Sequence, residues 1–94
     1  MMIVEQQVLE RILTVTNKLG IHARVATMMV QTMKKYTAQV TLVKDGLEVD
    51  ARSVLGLLLL AATPGSEILV KAQGDDCQEA IQEISKLIQD ETDD

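Results

Sequence analysis

Strand-like and helix-like segments alternate along this 94-residue chain in the order β-α-β-β-α-β-α. The predicted strands cover 11–16, 39–44, 47–51 and 67–72, and the predicted helices cover 23–35, 54–60 and a last segment that opens at 74–76 and runs to 88. Alternation of apolar and polar residues implies that one face of the sheet is buried and the other meets water. The order therefore predicts an α+β fold, a two-layer open-faced sandwich in which three helices cover one face of a four-stranded antiparallel sheet.

The residues predicted to face the core are aliphatic, because Tyr36 is the only aromatic residue of the chain. Methionine is expected to fill the irregular gaps between them. On the strands, the predicted core positions are Leu13, Val15, Val40, Leu42, Val49, Ala51, Ile68, Val70 and Ala72. On the helices they are Ala26, Met29, Val30, Met33, Leu57, Leu60, Ala80, Ile81, Ile84, Leu87 and Ile88.

Turn and cap residues separate these segments. The pair at 45–46, Asp-Gly, predicts a β-hairpin, and the pair at 64–65, Pro-Gly, predicts a turn. Ser53 is placed to cap the short second helix. Asp75 and Gln78 have the spacing of a capping box at the start of the third helix, with aspartate in the usual Ser/Thr position.

Residues 1–94 are predicted to form one domain, with an N-terminal lead over 1–8 and an acidic tail over 89–94. The formal net charge is −5, and no run of basic residues is present. Because aromatic residues that could stack on bases are also nearly absent, nucleic-acid binding is not expected. The longest apolar run, 54–62, is far too short to cross a bilayer, so membrane insertion is not expected either.

The chain offers few groups that can perform chemistry. Cys77 is the only cysteine, which fits a reducing, cytoplasmic location, and no secretory signal is evident. One histidine and one cysteine far apart in sequence do not make a credible zinc site. The sequence therefore predicts no metal, no cofactor and no independent enzymatic activity.

His22, the only histidine, follows a glycine and directly precedes a predicted helix. An imidazole is a nucleophile near neutral pH, and the start of a helix offers free backbone N–H groups to a phosphoryl group. Arg24 adds a permanently charged fork for phosphate oxygens. The segment is therefore a candidate phosphate-handling site. The alternative, which is the commoner role of a lone histidine, is a simple loop or capping residue.

Two motifs link the chain to a known family. The segment Gly-Ile-His-Ala-Arg at 20–24 resembles the active-site motif of the HPr family, the histidine phosphocarriers of the bacterial phosphoenolpyruvate-dependent sugar phosphotransferase system. The segment Arg-Ser-Val-Leu-Gly at 52–56 resembles the regulatory-serine motif of that family. His22 and Ser53 lie 31 residues apart, which is the family's spacing, and the similarity runs without gaps from about Leu9 to Ile88.

This resemblance implies roles for individual residues. His22 would accept a phosphoryl group from Enzyme I on its Nδ1 atom and pass it to the A domains of sugar-specific permeases. The residues Ala23 and Arg24 would bind the phosphoryl oxygens. Ser53 would be a site of regulatory phosphorylation, which makes HPr kinase/phosphorylase and a transcriptional regulator further candidate partners. The carrier would act as a monomer that is transiently phosphorylated.

A partner-docking surface is expected beside His22. The apolar run 54–60 has more leucines than one helix face can bury, and an exposed apolar cluster commonly marks a docking site. The alternative is that the whole run is core. The predicted docking residues are Thr27, Gln31, Val54, Leu55 and Leu58.

Val25 departs from the family pattern, which has proline after the active-site arginine. Proline suits the first helical turn because its missing N–H would lack a partner there, whereas valine restores the donor.

Three functions remain open: a sugar phosphocarrier, a regulatory binding protein controlled at Ser53, and a carrier of a nitrogen- or dihydroxyacetone-related branch. The presence of His22 favours a carrier, because relatives with a mainly regulatory role tend to lack the histidine.

Overall fold

The computed structural model of the chain describes residues 7–89. Its elements are β1 (Val8–Thr14), α1 (Ala23–Met33), β2 (Gln39–Lys44), β3 (Leu47–Asp50), α2 (Val54–Leu59), β4 (Glu67–Gln73) and α3 (Cys77–Gln89). The predicted order of strands and helices is therefore confirmed.

The four strands form one antiparallel sheet in the order β1-β4-β2-β3. Strand residues predicted to face the helices, such as Val40 and Leu42, are buried, whereas Ile12 on the opposite face of β1 is 70% exposed. The sheet thus has one covered and one open face, as its alternating sequence predicts. Among residues 7–89, no helix is long and apolar enough to cross a membrane.

The predicted core is confirmed with small differences. Every predicted core position is buried except Val30 and Leu87, which are partly buried and pack against the core. Ala38 and Cys77 are buried as well, although the sequence pattern did not assign them to the core. A small residue at the start of α3 lets the helix approach the sheet closely, which is consistent with the buried thiol of Cys77.

Several predicted boundaries were wrong by a few residues. β1 begins at Val8, which pairs with Gln73 of β4, so Val8 does not belong to the N-terminal lead. Gln89 is the last residue of α3 and not part of the acidic tail. The rest of the lead and tail, 1–6 and 90–94, lies outside the described residues. Tertiary pairing decides these limits, because the local sequence is compatible with either choice.

Asp76, and not Asp75, directly precedes the first residue of α3, so the predicted capping box of Asp75 and Gln78 was wrong. The Asp76 carboxylate accepts hydrogen bonds from the backbone N–H groups of Thr37 (2.9 Å) and Ala38 (2.8 Å). These bonds, that from Thr37 foremost, hold the pKa of Asp76 below its ordinary value. The carboxylate at the start of α3 therefore binds the backbone of the segment that precedes β2.

Tyr36 links the turn after α1 to α3. Its hydroxyl donates a hydrogen bond to the carboxylate of Glu83, which also accepts one from Lys35 at 2.9 Å. The hydrogen bond to Glu83 is the main reason that the pKa of Tyr36 is raised to about 12. The same bond, followed by that from Lys35, lowers the pKa of Glu83.

Replacing Glu83 with glutamine should lower the Tyr36 pKa from about 12 toward its ordinary value of 10.0, because the charged acceptor is lost. In the parent protein the folded state holds the phenol proton more tightly than the unfolded state does. The raised pKa of Tyr36 therefore stabilises the folded state below about pH 10, and this stabilisation is lost as the pH rises to about 12. Absorbance titration reports it directly, since the chain has one tyrosine and no tryptophan.

A Glu79→Gln variant is the control for this titration. Glu79 raises the Tyr36 pKa only through its charge, and less than Glu83 does, so this variant should shift the titration by a smaller amount. Equal shifts in the two variants would show that the hydrogen bond to Glu83 has no special part in the raised pKa.

Candidate functional site

His22 is the N-cap residue of α1. Its backbone is extended, with φ −108° and ψ −175°, and its carbonyl accepts the N–H of Ala26 at 2.9 Å. The imidazole Nδ1 accepts a hydrogen bond from the backbone N–H of Arg24 at 3.3 Å. An acceptor nitrogen carries a lone pair, so in this neutral tautomer the proton lies on Nε2. The Nδ1 atom of His22 therefore lies beside the first amides of a helix.

Gly20 brings the chain into this position. Its φ is +70°, and an added Cβ would lie 2.2 Å from the carbonyl oxygen of Ala62. The next residue, Ile21, donates its N–H to that same oxygen at 3.0 Å. Only glycine allows this approach of two backbone segments, so the loop before His22 is held against the segment that follows α2.

The same loop is joined to the C-terminal end of α3 by residues that sequence reasoning missed. The buried side chain of Asn17 donates to the carbonyl of Leu87, and the Thr16 hydroxyl donates to the carbonyl of Gln89 at 2.7 Å. The Gln89 side chain in turn donates to the carbonyl of Thr14 at 3.2 Å. Donors from one segment thus satisfy the last carbonyls of a helix, which have no partners within the helix. The only signal in the sequence is the polar pair at 16–17, which follows β1 after one apolar residue.

Ala23 and Arg24 form the first turn of α1 and are both exposed. That turn contains no acidic residue, so nothing in it opposes an incoming anion. The predicted phosphate-binding residues therefore lie together with Nδ1 of His22 at the positive end of the helix dipole.

Ser53 is the N-cap residue of α2, as predicted. Its Oγ accepts the backbone N–H of Gly56 at 3.0 Å, and its backbone is extended with φ −113°. Gly56 leaves room for this contact, since an added Cβ would lie 3.1 Å from Ser53 Oγ and 3.1 Å from Cβ of Val49. The hydroxyl is half-buried at the start of the helix.

The apolar run of α2 divides between core and surface. Leu57 is buried, whereas Leu55 and Leu58 are 68% and 38% exposed. Val54 packs partly against the core. On α1, which contacts α2, Thr27 and Gln31 are exposed. Leu59 is 62% exposed but was not among the predicted docking residues. A run of consecutive leucines does not by itself show which of them face outward.

Charge is segregated along the chain. Residues 11–44 contain no aspartate or glutamate, although the whole chain has a net charge of −5. The basic residues of that segment are Arg11, Lys18, Arg24, Lys34, Lys35 and Lys44. Residues 51–66 are also free of acidic residues. The helices α1 and α2 therefore carry no acidic side chain, and the acidic residues lie elsewhere.

Residues 7–89 contain no group of three or more His, Cys, Asp or Glu side chains that could hold a metal ion. The start of α1 brings together one imidazole, backbone amides and an arginine. A family model described as the PTS HPr component phosphorylation site matches residues 9–90. The chain belongs to the HPr family of the bacterial phosphotransferase system.

Similar proteins agree with this assignment. The chain is 48% identical to a phosphocarrier protein HPr of Xylella fastidiosa, over 86% of this chain and 91% of the relative. It is 42% identical to the HPr-like protein Crh of Bacillus subtilis, over 79% and 87% of the two chains. It is 39% identical to a phosphocarrier protein NPr of Shewanella violacea, over 85% and 88%. The HPr resemblance inferred from two motifs is therefore confirmed.

Solved HPr structures have the same fold. The crystal structure of HPr from Bacillus anthracis matches with a TM-score of 0.83 at 32% identity, covering 87% of this chain and 98% of that one. A crystal structure of Crh, matching with a TM-score of 0.71 at 40% identity over 82% and 88% of the two chains, is described as a domain-swapped dimer. HPr-like folds therefore occur in dimers, and the monomeric state of this chain stays a prediction.

Proposed function

We propose that this chain is a phosphoryl carrier that accepts a phosphoryl group from Enzyme I on Nδ1 of His22 and passes it to permease A domains. The observation that supports this most is the position of Nδ1 at the N-terminus of α1, where it accepts the N–H of Arg24. An in-line attack needs an accessible lone pair with local counter-charge, and the partner enzymes supply the rest of the positioning.

The transfer rearranges one hydrogen bond. As the bond from phosphorus to Nδ1 forms, the bond from phosphorus to its donor breaks, and the lone pair of Nδ1 no longer accepts from Arg24. The freed N–H and that of Ala23 then donate to phosphoryl oxygens, and the Arg24 guanidinium adds positive charge. The product is a phosphoramidate, which is labile enough to be passed on.

Docking would use the exposed residues of α1 and α2 next to His22. Leu55, Leu58 and Leu59 supply an apolar centre. Arg24 in the first turn of α1 and Lys34 at its C-cap supply a basic border. A complementary partner surface is an apolar groove with an acidic border, since opposite charges raise the association rate and exclude partners of like charge. Because α1 and α2 carry no acidic side chain, the same surface supports recognition by several acidic partners in turn.

The test is incubation of the purified protein with Enzyme I and phosphoenolpyruvate, followed by intact mass measurement before and after mild acid. We expect one phosphoryl group per molecule, lost in acid. An Enzyme I preparation that phosphorylates another HPr provides the positive control. If that preparation adds no phosphoryl group to this chain, the carrier function is rejected.

Control through Ser53 is a second function, favoured by the half-buried hydroxyl at the start of α2 and by the similarity to Crh, whose solution structure is described as that of a catabolite repression HPr. A dianion on Ser53 would lie beside the apolar docking residues and oppose an acidic partner. Incubation with an HPr kinase/phosphorylase and ATP should add an acid-stable phosphoryl group that is absent from a Ser53→Ala variant. No acid-stable phosphorylation would exclude this regulation by that kinase.

Replacing Val25 with proline should remove one N–H donor from the first turn of α1. We expect the equilibrium of phosphoryl transfer to shift toward phosphorylated Enzyme I by roughly three- to tenfold, because this N–H can no longer stabilise the phosphoryl group on His22. Val25 is half-buried and packs against the core. A Val25→Ala variant loses that packing but keeps the N–H, so it is the matched control. The measurement is the phosphorylated fraction at a fixed ratio of phosphoenolpyruvate to pyruvate. Equal shifts in both variants would assign the effect to packing and not to the donor.

A further inference from the structure

The side chain of Arg52 reaches from the turn before α2 to the C-terminal end of α1. Its Nη1 donates to the carbonyl of Ala38 at 3.0 Å, and its Nη2 donates to the carbonyls of Met33 at 3.1 Å and Tyr36 at 2.8 Å. Met33 is the last residue of α1. One guanidinium therefore binds the end of a helix and the turn that follows it.

The chemistry of this contact requires arginine. Carbonyls at a helix C-terminus lack partners within the helix and lie at the negative end of its dipole. A guanidinium presents several N–H groups in a rigid plane, so it can bind separated carbonyls at one time. A lysine ammonium is a single donor atom on a flexible stem and cannot reproduce that arrangement.

The backbone of Arg52 is itself held in place. Its N–H donates to Oδ1 of Asp50 at 2.8 Å, and the N–H of Ser53 donates to the carbonyl of Asp50 at 2.9 Å. Because Ser53 is the N-cap residue of α2, the guanidinium extends from a closed turn that is continuous with that helix. The start of α2 and the end of α1 are thus connected through one side chain.

We propose that Arg52 is a positioning residue for partner docking, which holds the exposed face of α1 at a set orientation to the exposed face of α2. The first face carries Thr27 and Gln31, and the second carries Leu55 and Leu58. A partner that contacts both faces binds well only if their relative orientation is maintained. This inference rests on the proposed phosphocarrier function, since docking to Enzyme I is its readout.

The experiment compares Arg52→Lys with the parent protein as substrates of Enzyme I. The variant keeps the charge but loses the planar fork, so we expect its KM to rise roughly three- to tenfold. The maximal rate should be unchanged, because Nδ1 of His22 and its loop are not touched. The control is Arg11→Lys, the same exchange at an exposed position of β1, which should leave both parameters unchanged.

Residual dipolar couplings give a readout that does not depend on Enzyme I. The orientation of α1 relative to α2 should differ between Arg52→Lys and the parent but not between Arg11→Lys and the parent. An unchanged KM or an unchanged orientation in Arg52→Lys would overturn the proposal, and an unfolded Arg52→Lys protein would assign Arg52 to folding instead. Failure of the parent protein to accept a phosphoryl group would reject the carrier function, and the dipolar couplings would still test the helix orientation.

Discussion

A His22→Asn variant should fold normally and accept no phosphoryl group from Enzyme I. Asparagine is among the best N-cap residues, and its side-chain oxygen can accept the N–H of Arg24 that Nδ1 accepts in the parent protein. The carboxamide has no nucleophilic lone pair on nitrogen, so the chemistry is lost while the cap is kept. Intact mass after incubation with Enzyme I and phosphoenolpyruvate measures the loss, and thermal unfolding measures the fold.

The companion variant His22→Ala separates the two roles of this residue. It removes both the nucleophile and the cap, so it should lose phosphoryl uptake and also unfold more easily, by about 0.5–2 kcal/mol. The asparagine variant should unfold close to the parent protein. An acid-labile phosphoryl group that persists on His22→Asn would show that another residue is the acceptor.

Replacing Gly20 with alanine should destabilise the protein by roughly 2–5 kcal/mol, from the left-handed backbone and the steric clash together. The added Cβ would lie 2.2 Å from the carbonyl oxygen of Ala62, a separation that no packed structure tolerates. Relief requires the two segments to separate, which breaks the hydrogen bond from Ile21 to Ala62. Since a small domain is stable by about 5–15 kcal/mol, the loss should be plain in urea unfolding.

Gly46→Ala provides the matched control. Gly46 has a similar φ of +82°, but no heavy atom lies within 4 Å of the position of an added Cβ. Its substitution should therefore cost only the strain of a left-handed backbone, about 1–2 kcal/mol. The remaining difference between the two variants measures the clash with Ala62. Equal losses would mean that the loop before His22 moves aside at no cost.

Local sequence signals identified the elements and their inner faces because those signals act over a few residues. The hairpin at 45–46 has the positive φ values, 51° and 82°, that its Asp-Gly pair favours. The cap by Ser53 depends only on the first turn of α2, where the acceptor and the donor are three residues apart. The alternation in β2 predicted its limits and its buried face correctly, and α1 ended two residues before the predicted limit.

Contacts between residues far apart in the chain were not predictable in this way. Asn17 and Leu87 are 70 residues apart, and Tyr36 and Glu83 are 47 residues apart. Nothing in either local segment indicates its partner, because polar residues at such positions are ordinarily solvated. Only the closed fold shows that these groups are hydrogen-bonded to each other.

The candidate site shows the same division. The position of His22 at the start of a helix, beside Arg24, followed from the order of residues alone, because capping and helix amides are local properties. The orientation of α1 toward α2 depends on Arg52 contacting carbonyls 14, 16 and 19 residues away. The sequence by itself therefore determined the strand and helix pattern, the family and the placement of His22 at a helix start. The tertiary structure alone decided which surface surrounds His22, because that surface forms only when distant segments satisfy each other's backbone groups.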